Sequence, residues 1–287
     1  MKLARIGSPG FELPIALLND STFVDLADLT DDIGEDFFAT GRLDSVPEFV
    51  ALQVSKGNVD DLPRVVRFGP PIARPHQIIC IGLNYTDHAR ESGMALPDEP
   101  IIFTKSPNTM VGPNDDVHIP RESSTTDWEV ELGVVVGTRA RYLSTLDEAT
   151  RCIAGYVLVN DVSDRHAQLE RGGQWSKGKS AETFNPCGPW LLTRDEVSDA
   201  GSIDLWLTVN GEFRQRGSTS DMVFGPAEVV RYLSQFMVLE PGDLINTGTP
   251  AGVGLGMNPP TYLRATDVIE LGGTGLGQQR QTCVPAP

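Results

Sequence analysis

Basic residues and cysteine are both scarce in this sequence, and it has no long apolar run. The 287 residues include 23 lysines and arginines against 39 aspartates and glutamates, a formal net charge of −16. Nucleic-acid-binding proteins carry a basic patch, so this balance argues against nucleic acid, and also against anionic lipid, as a partner. It does not identify a substrate, because metal sites and ordinary solubility both use acidic residues.

Three further absences concern the compartment. The first fourteen residues, MKLARIGSPGFELP, lack the apolar core of a signal peptide. The best candidate for a membrane span, residues 244–263, is interrupted by glycines and prolines. The four cysteines, at positions 80, 152, 187 and 283, do not have the CxxC spacing of a zinc site. We therefore expect a cytoplasmic protein with reduced cysteines.

The pattern of apolar and polar residues changes near a proline-rich junction, FGPPIARPHQ, at residues 68–77. Residues 1–72 are predicted to form a small N-terminal α+β domain without chemistry of its own. Residues 73–287 contain short apolar segments separated by glycine and proline, with helices expected only near 87–92, 165–171 and 226–234. The predicted strands are IICIGL, IIFTK, VELGVVVG, IAGYVLVND, IDLWLTVNG, DLINTG and DVIELGG. This pattern predicts a β-dominated, mixed α/β domain rather than a doubly wound βαβ fold.

Two glutamates, Glu129 and Glu131, interrupt an apolar strand in TTDWEVELGVVVG. Alternate strand residues face the same side, so these glutamates and Asp127 would lie together. Burying adjacent carboxylates is unfavourable unless a cation compensates them. Asp161 ends another apolar strand, and three carboxylates without histidine or cysteine suit Mg²⁺ or Mn²⁺. The alternative is that the acids are solvated on an exposed strand face.

His88 and Glu91 follow a strand and a glycine-containing turn in GLNYTDHARE. Their i, i+3 spacing places them on one helix face. The carboxylate could orient the imidazole of a general base that acts on water. A surface histidine beside a glutamate would have the same spacing, so the pattern leaves both interpretations open.

Potential anion-binding side chains are concentrated in DVSDRHAQLERGGQWSKGKS. They could hold a carboxylate or an oxyanion near a metal, or could be solvated like most charged loops. They are Arg165, Gln168, Lys177 and Lys179. The glycine-rich stretch LEPGDLINTGTPAGVGLG contains neither nucleotide-binding pattern, GxxxxGK[ST] or GxGxxG before a helix. Thr249 near its centre is a candidate substrate contact.

Seven segments, taken in order, resemble the fumarylacetoacetate hydrolase (FAH) superfamily over residues 78–254, with a weaker tail to residue 284. They are ICIGLNYTDHARE, PIIFTKSP, DWEVELGVVVG, GYVLVNDVSDRHAQ, WSKGKSAETFNPCGPW, TVNGEFRQ and LEPGDLINTGTPAGVG. The resemblance implies the β-sandwich roll of the FAH C-terminal domain, a small N-terminal domain and a homodimer. It also implies a divalent metal held by Glu129, Glu131 and Asp161.

The resemblance also assigns roles to the remaining candidates. His88 and Glu91 would form a water-positioning dyad in a mobile segment, and Thr249 would approach the substrate. The anion-binding residues would be Arg165, Gln168 and Lys179; Lys177 is a neighbour whose role stays open. Many members read Ala-Arg-Asp where this chain reads Asp164-Arg165-His166. The arginine is retained, but the surroundings of His166 can differ.

The resemblance predicts metal-dependent hydrolysis of a carbon–carbon bond in a 2,4-dioxo acid through a metal-stabilised pyruvate enolate. The substrate would be an acylpyruvate or, since QLERGGQWSKGK and the C-terminal tail resemble that branch, a 2,4-diketo-3-deoxy sugar acid. One alternative is an isomerase of a 2-hydroxymuconate-type diacid, such as 5-carboxymethyl-2-hydroxymuconate or 2-hydroxyhepta-2,4-diene-1,7-dioate. Others are an oxaloacetate decarboxylase and a non-catalytic binding protein. We expect a small-molecule catabolic enzyme.

Overall fold

The computed structural model describes residues 1–91, 93 and 95–287. Strands far outnumber helices in this part of the chain, which confirms the β-dominated mixed fold. The strands are β1 (Lys2–Ile6), β2 (Leu13–Leu17), β3 (Thr22–Asp25), β4 (Asp60–Asp61), β5 (Ile78–Gly82), β6 (Ile101–Lys105), β7 (Met110–Val111), β8 (Val117–Ile119), β9 (Thr126–Asp127), β10 (Val130–Val136), β11 (Ile153–Asn160), β12 (Ser163–Asp164), β13 (Asn185–Pro186), β14 (Leu191–Thr193), β15 (Asp204–Val209), β16 (Glu212–Ser218), β17 (Leu244–Asn246), β18 (Val268–Gly273) and β19 (Gly277–Pro285). The α-helices are α1 (Glu35–Ala39), α2 (Arg42–Lys56), α3 (Thr86–Glu91), α4 (Leu146–Arg151), α5 (Ser176–Lys179) and α6 (Pro226–Leu233).

One mixed sheet of ten strands runs in the order β4-β3-β2-β1-β14-β11-β10-β17-β5-β6. Strands β17 and β5 are parallel neighbours, so the segments that follow them emerge at the same edge of the sheet. The first four strands extend the opposite end, where Lys2 of β1 pairs with Leu192 of β14. The domain boundary at residue 72 stays a prediction.

A second sheet of five strands, β16-β15-β18-β19-β8, packs against the first. Ile81 and Leu132 of the large sheet share one core with Leu207 and Leu271 of the small sheet. The other face of the large sheet is covered by α1 and α2 through residues such as Phe37. Because both faces are covered, β5, β10 and β11 are buried along their whole length.

The predicted helices occur where the sequence placed them, with one change of type, but two further short helices, α4 and α5, were not predicted. Segment 226–234 contains α6, which begins with a proline in its first turn, as expected from its fixed backbone angle. Segment 87–92 contains α3, and Ser92 lies outside the described residues. Segment 165–171 forms a π-helical turn at His166–Glu170 rather than an α-helix. None of the described helices combines the length and hydropathy needed to span a membrane.

Candidate active site

Three carboxylates meet where strands of the large sheet begin or end. Glu131 lies in β10, Glu129 directly precedes that strand, and Asp161 follows β11. Each offers one oxygen atom, and these three atoms lie within 4.8 Å of one another. The residues are 5%, 1% and 0% exposed for Glu129, Glu131 and Asp161. This burial is incompatible with the alternative of a solvated strand face.

Two buried lysines accompany the acids. The Nζ of Lys179 donates to Oε2 of Glu129 at 2.8 Å and to Oδ2 of Asp161 at 2.9 Å. The Nζ of Lys105 donates to the other oxygen of Asp161 and, at 3.0 Å, to the carbonyl of Val162. Sequence reasoning missed Lys105. In the sequence, Lys105 is the last residue of the apolar strand IIFTK, and a lysine at the end of a strand does not by itself indicate a site.

The pKa shifts show that the glutamates are not equivalent. Burial alone would raise the pKa of Glu129, but Lys179 and Arg165 outweigh it and hold that pKa well below its usual range. Burial raises the pKa of Glu131, and the neighbouring charges of Asp161 and Glu129 raise it further. One backbone amide, that of Gly248, donates to Glu131 at 2.8 Å. Glu131 is therefore the acid of the cluster whose ionised form is compensated least by the surrounding protein.

This donor set fits a hard divalent cation. All three groups offer carboxylate oxygens, which Mg²⁺ and Mn²⁺ prefer. The three acids exceed the two lysines by one negative charge, so a divalent ion would give the cluster one positive charge. This net positive charge would favour the binding of an anionic substrate.

Arg165 is fixed on two sides and has one buried donor without a partner. Its Nε donates to Asp127 at 2.8 Å, and one terminal nitrogen contacts Glu129 at 2.7 Å and Gln168 at 3.1 Å. The second terminal nitrogen is buried and has no partner among the described residues. A buried donor of this kind is normally satisfied. Arg165 is thus preorganised to receive a ligand oxygen.

Asp127 holds that arginine in place. Its Oδ1 accepts the amides of Trp128 and Gly254 at 2.8 and 2.7 Å, and its Oδ2 accepts the amide of Leu255 at 3.0 Å. This carboxylate therefore joins Arg165 to the loop after β17. The sequence signal was its place as the first acid of an alternating D-x-E-x-E pattern, but the ion pair with Arg165 was not predicted.

The dyad residues lie beside this loop. Nδ1 of His88 is 3.5 Å from Oε2 of Glu91, which is long for a direct hydrogen bond, as is common before substrate binds. The amide of Gly252 donates to both Glu91 oxygens, at 3.0 and 3.1 Å. A Cβ atom at Gly256 would lie 2.3 Å from the Glu91 carboxyl carbon. Only glycine at that position allows the loop to approach the dyad so closely.

One cavity brings most of the predicted residues together. Its polar lining consists of His88, Glu129, Glu131, Arg165, Gln168, Lys179, Gly248 and Thr249. Asp161 lies behind Lys179, and Glu91 lies behind His88. The hydroxyl of Thr249 donates to Val130 at 2.9 Å and accepts from Gln215 at 2.7 Å.

Lys177 and His166 are exposed and do not line the cavity. The Nζ of Lys177 donates to the carbonyl of Arg171 at 2.7 Å, and the ring of His166 contacts Glu170 at 3.2 Å. The structure thus separates these two residues from the other candidates of the same passage.

The rest of the cavity has an apolar lining, which the sequence did not reveal. It consists of Ile81, Gly82, Leu83, Phe103, Leu169, Trp175 and Leu255. The rings of Trp175 and Phe103 meet edge to face at 5.4 Å. A Cβ at Gly82 would lie 2.6 Å from the Trp175 ring, so the missing side chain makes room for the indole. Leu83 has φ +53°, a left-handed conformation that is rare for leucine.

Comparisons with known proteins show what the whole chain is similar to. Residues 77–284 match the fumarylacetoacetate (FAA) hydrolase C-terminal family. The 2,4-didehydro-3-deoxy-L-rhamnonate hydrolase of Sphingomonas sp. (strain SKA58) is 46% identical over 288 residues, covering 98% of this chain and 95% of that protein. The fumarylacetoacetate hydrolase of Exiguobacterium antarcticum superposes with a TM-score of 0.86 at 34% identity over 100% of both chains. The 2-hydroxyhepta-2,4-diene-1,7-dioate isomerase of Mycobacterium marinum gives 0.75 at 31% identity, covering 99% and 98%.

Proposed function

This chain belongs to the fumarylacetoacetate hydrolase family, and we propose that it hydrolyses a carbon–carbon bond in a 2,4-dioxo acid. The substrate would be an acylpyruvate or a 2,4-diketo-3-deoxy sugar acid. The observation that carries the proposal is the cavity shared by a buried acid cluster, a histidine–glutamate pair and an arginine with an unpaired donor. The relative from Sphingomonas, which is named for a substrate of this class, supports it.

Glu129, Glu131 and Asp161 would hold the Mg²⁺ or Mn²⁺ ion. The ion would supply Lewis-acid polarisation of the 2-oxo group and would stabilise negative charge as the bond breaks. Lys105 and Lys179 fix the orientation of Asp161, and Lys179 also holds Glu129. Both lysines are buried beside these carboxylates, and Lys179 together with Arg165 holds the pKa of Glu129 well below its usual range.

His88 would act as the general base. Glu91, held by the loop amide of Gly252, orients the imidazole so that its other nitrogen accepts a proton from water. The water oxygen bonds to C4, and the C3–C4 bond then breaks. Its electron pair stays on the pyruvate fragment, which takes up a proton, and the other product is a carboxylic acid. The unpaired N–H of Arg165 and the amide of Gln168 would bind the oxygen on which charge develops.

An isomerase is a second candidate, supported by the isomerase from M. marinum among the structural neighbours. The same acid cluster would then assist proton transfer along a diene diacid without an attacking water.

We also propose that the protein forms the homodimer that the resemblance implies. Light scattering of the protein as it elutes from a size-exclusion column would test this through the molar mass.

The decisive experiment is a pyruvate-release assay on metal-stripped protein to which Mg²⁺ or Mn²⁺ is restored. Substrates would be acetylpyruvate, a 2,4-diketo-3-deoxy sugar acid, a hydroxymuconate-type diacid and oxaloacetate. We expect pyruvate from the first two, and a loss of about 10²–10⁴-fold in His88→Ala. His166→Ala is the matched control, because that histidine is exposed and outside the cavity. An ultraviolet change from the diacid without pyruvate would favour the isomerase, and pyruvate from oxaloacetate alone a decarboxylase.

A further inference from the structure

The cavity is polar at the acid cluster and apolar elsewhere, and this division bears on the part of the substrate beyond C4. If the proposed function is correct, the 1-carboxylate and 2-oxo group occupy the polar lining. The remainder of the molecule then faces the apolar lining defined above, which includes Leu83, Phe103, Leu169, Trp175 and Leu255.

The cavity has no spare positive charge for a second carboxylate. Among the described residues that line it, the lysine and arginine side chains are Lys179 and Arg165. Lys179 is paired with Glu129 and Asp161, and Arg165 with Asp127 and Glu129. The unpaired terminal nitrogen of Arg165 is required for the reacting end of the substrate. A carboxylate against the apolar lining would be buried without a partner.

The apolar lining is also built to keep its shape. Trp175 is held between the Phe103 ring and the bare backbone of Gly82. The turn that carries Leu83 is fixed by the side chain of Asn84, which is buried and makes hydrogen bonds of 2.8–2.9 Å to Phe224 and Thr247. Leu169 differs, because it is 36% exposed and lies in the π-helical turn at the edge of the cavity.

We infer that the substrate is a monoanion whose tail beyond C4 is uncharged and apolar at its end, because the described apolar lining offers no cation to the tail, including at Leu169 on its rim. This inference rests on the proposed function and narrows its substrate class. It excludes dicarboxylic 2,4-dioxo acids as preferred substrates. Leu169 is the position at which specificity can be changed with least effect on folding, since it is the most exposed member of the apolar lining.

The test uses two substrates that differ only at the far end of the tail, 2,4-dioxoheptanoate (a methyl group) and 2,4-dioxoheptanedioate (a carboxylate). The wild-type protein with Mn²⁺ is expected to favour the monoacid by about 100-fold in kcat/KM. Leu169→Lys should reduce this preference about tenfold, because an ammonium at the rim can pair with the tail carboxylate. Leu169→Gln is the matched control of similar size without charge, and it should leave the preference within about threefold of wild type.

The outcomes separate the two proposals. Pyruvate released equally well from both acids would overturn the inference and leave the proposed function intact. An equal change in Leu169→Lys and Leu169→Gln would overturn the role of Leu169. Absence of pyruvate from both acids, and also from acetylpyruvate and the 2,4-diketo-3-deoxy sugar acid, would refute the proposed function. In that case calorimetric binding of the two acids to Mn²⁺-loaded His88→Ala still decides the inference: tighter binding of the monoacid supports it, and equal binding overturns it.

Discussion

Two clusters of charged side chains in this protein look alike in composition but differ in their burial and in how their charges are paired. The first, the N-terminal network, consists of Arg5, Glu12, Asp32, Arg67 and Asp115. Two nitrogens of Arg5 donate to Asp32 at 2.5 and 2.7 Å, and two nitrogens of Arg67 donate to Asp115 at 2.8 and 2.7 Å. Glu12 accepts from both arginines, at 3.3 and 2.9 Å. Every acid therefore has an arginine partner.

The second is the site cluster of Glu129, Glu131, Asp161, Lys105 and Lys179. Its own cations are lysines, which act as point charges rather than as two-pronged donors, and the neighbouring Arg165 contacts Glu129 through one terminal nitrogen. Glu131 belongs to no ion pair in the described part of the chain, and burial raises its pKa. The side chains of Asp161 and Lys105 are both 0% exposed, whereas those of Asp32 and Asp115 are 37% and 25% exposed.

Both clusters carry one more acid than base, so the charge count does not distinguish a structural network from an active site. What distinguishes them is whether every buried acid of the cluster has a basic partner. Water relieves the excess charge of the N-terminal network, while the site cluster retains an acid that its own lysines do not compensate. Such an uncompensated acid is not expected in a purely structural network, because an unpaired buried charge destabilises the fold and would serve no other function.

Matched carboxylate-to-amide changes provide the strongest test of this contrast. Glu131→Gln should reduce turnover to background and weaken Mn²⁺ binding, yet leave the free energy of unfolding unchanged or higher, because an uncompensated charge is removed. Glu12→Gln should leave kcat/KM unchanged and lower the free energy of unfolding by about 3 kcal/mol, because two arginines lose a partner. Pyruvate assays, calorimetry with Mn²⁺ and urea denaturation without added metal provide the readouts. The contrast fails if Glu131→Gln unfolds as readily as Glu12→Gln.

Arginine-to-lysine changes at Arg165 and Arg67 should differ less in their effects on activity and stability than the two glutamate changes do. Arg165→Lys keeps the charge but loses the planar fork, including the N–H left for the substrate, so we expect kcat/KM to fall about 10–100-fold. Arg67→Lys should leave kcat/KM unchanged and lower stability by about 1–2 kcal/mol. Both are measured by steady-state kinetics and urea denaturation. Equal activity of the two variants would show that the unpaired donor of Arg165 has no part in binding.

The smallest effect is expected in the loop that supports the dyad. Gly256→Ala would push a methyl group into the Glu91 carboxylate and displace His88, lowering kcat about tenfold with little change in KM. Gly225→Ala is the control, because a Cβ there has no atom within 4 Å and the backbone φ is −69°. A wild-type kcat in Gly256→Ala would mean that Glu91 does not position the base.

The sequence predicted the fold well because its central strands are covered on both faces. A segment such as IICIGL is then apolar throughout and stands out between glycines and prolines. The joining of β1 to β14 could not be predicted, since it pairs residues about 190 positions apart through backbone groups that any sequence provides.

The candidate site was predictable where polar residues stand in apolar surroundings. Glu129, Glu131 and Asp161 attract notice because acids are rare in buried strands. Lys105 did not, because a lysine after a strand is usually solvated. Leu169 and Trp175 could not be recognised at all, since nothing in a pattern separates an apolar side chain that lines a cavity from one that fills the core. The metal ligation and the individual roles stay predictions.

The left-handed backbone of Leu83 has a consequence for laboratory evolution. An L-residue in this conformation is less stable than glycine by about 1–2 kcal/mol, and asparagine also tolerates it. Selection for heat resistance alone should therefore enrich glycine or asparagine at position 83. Each would remove a leucine that lines the cavity. Thermostable variants gathered without an activity screen would thus drift toward broader and weaker recognition at this single position, a trade-off that screening with substrate would prevent.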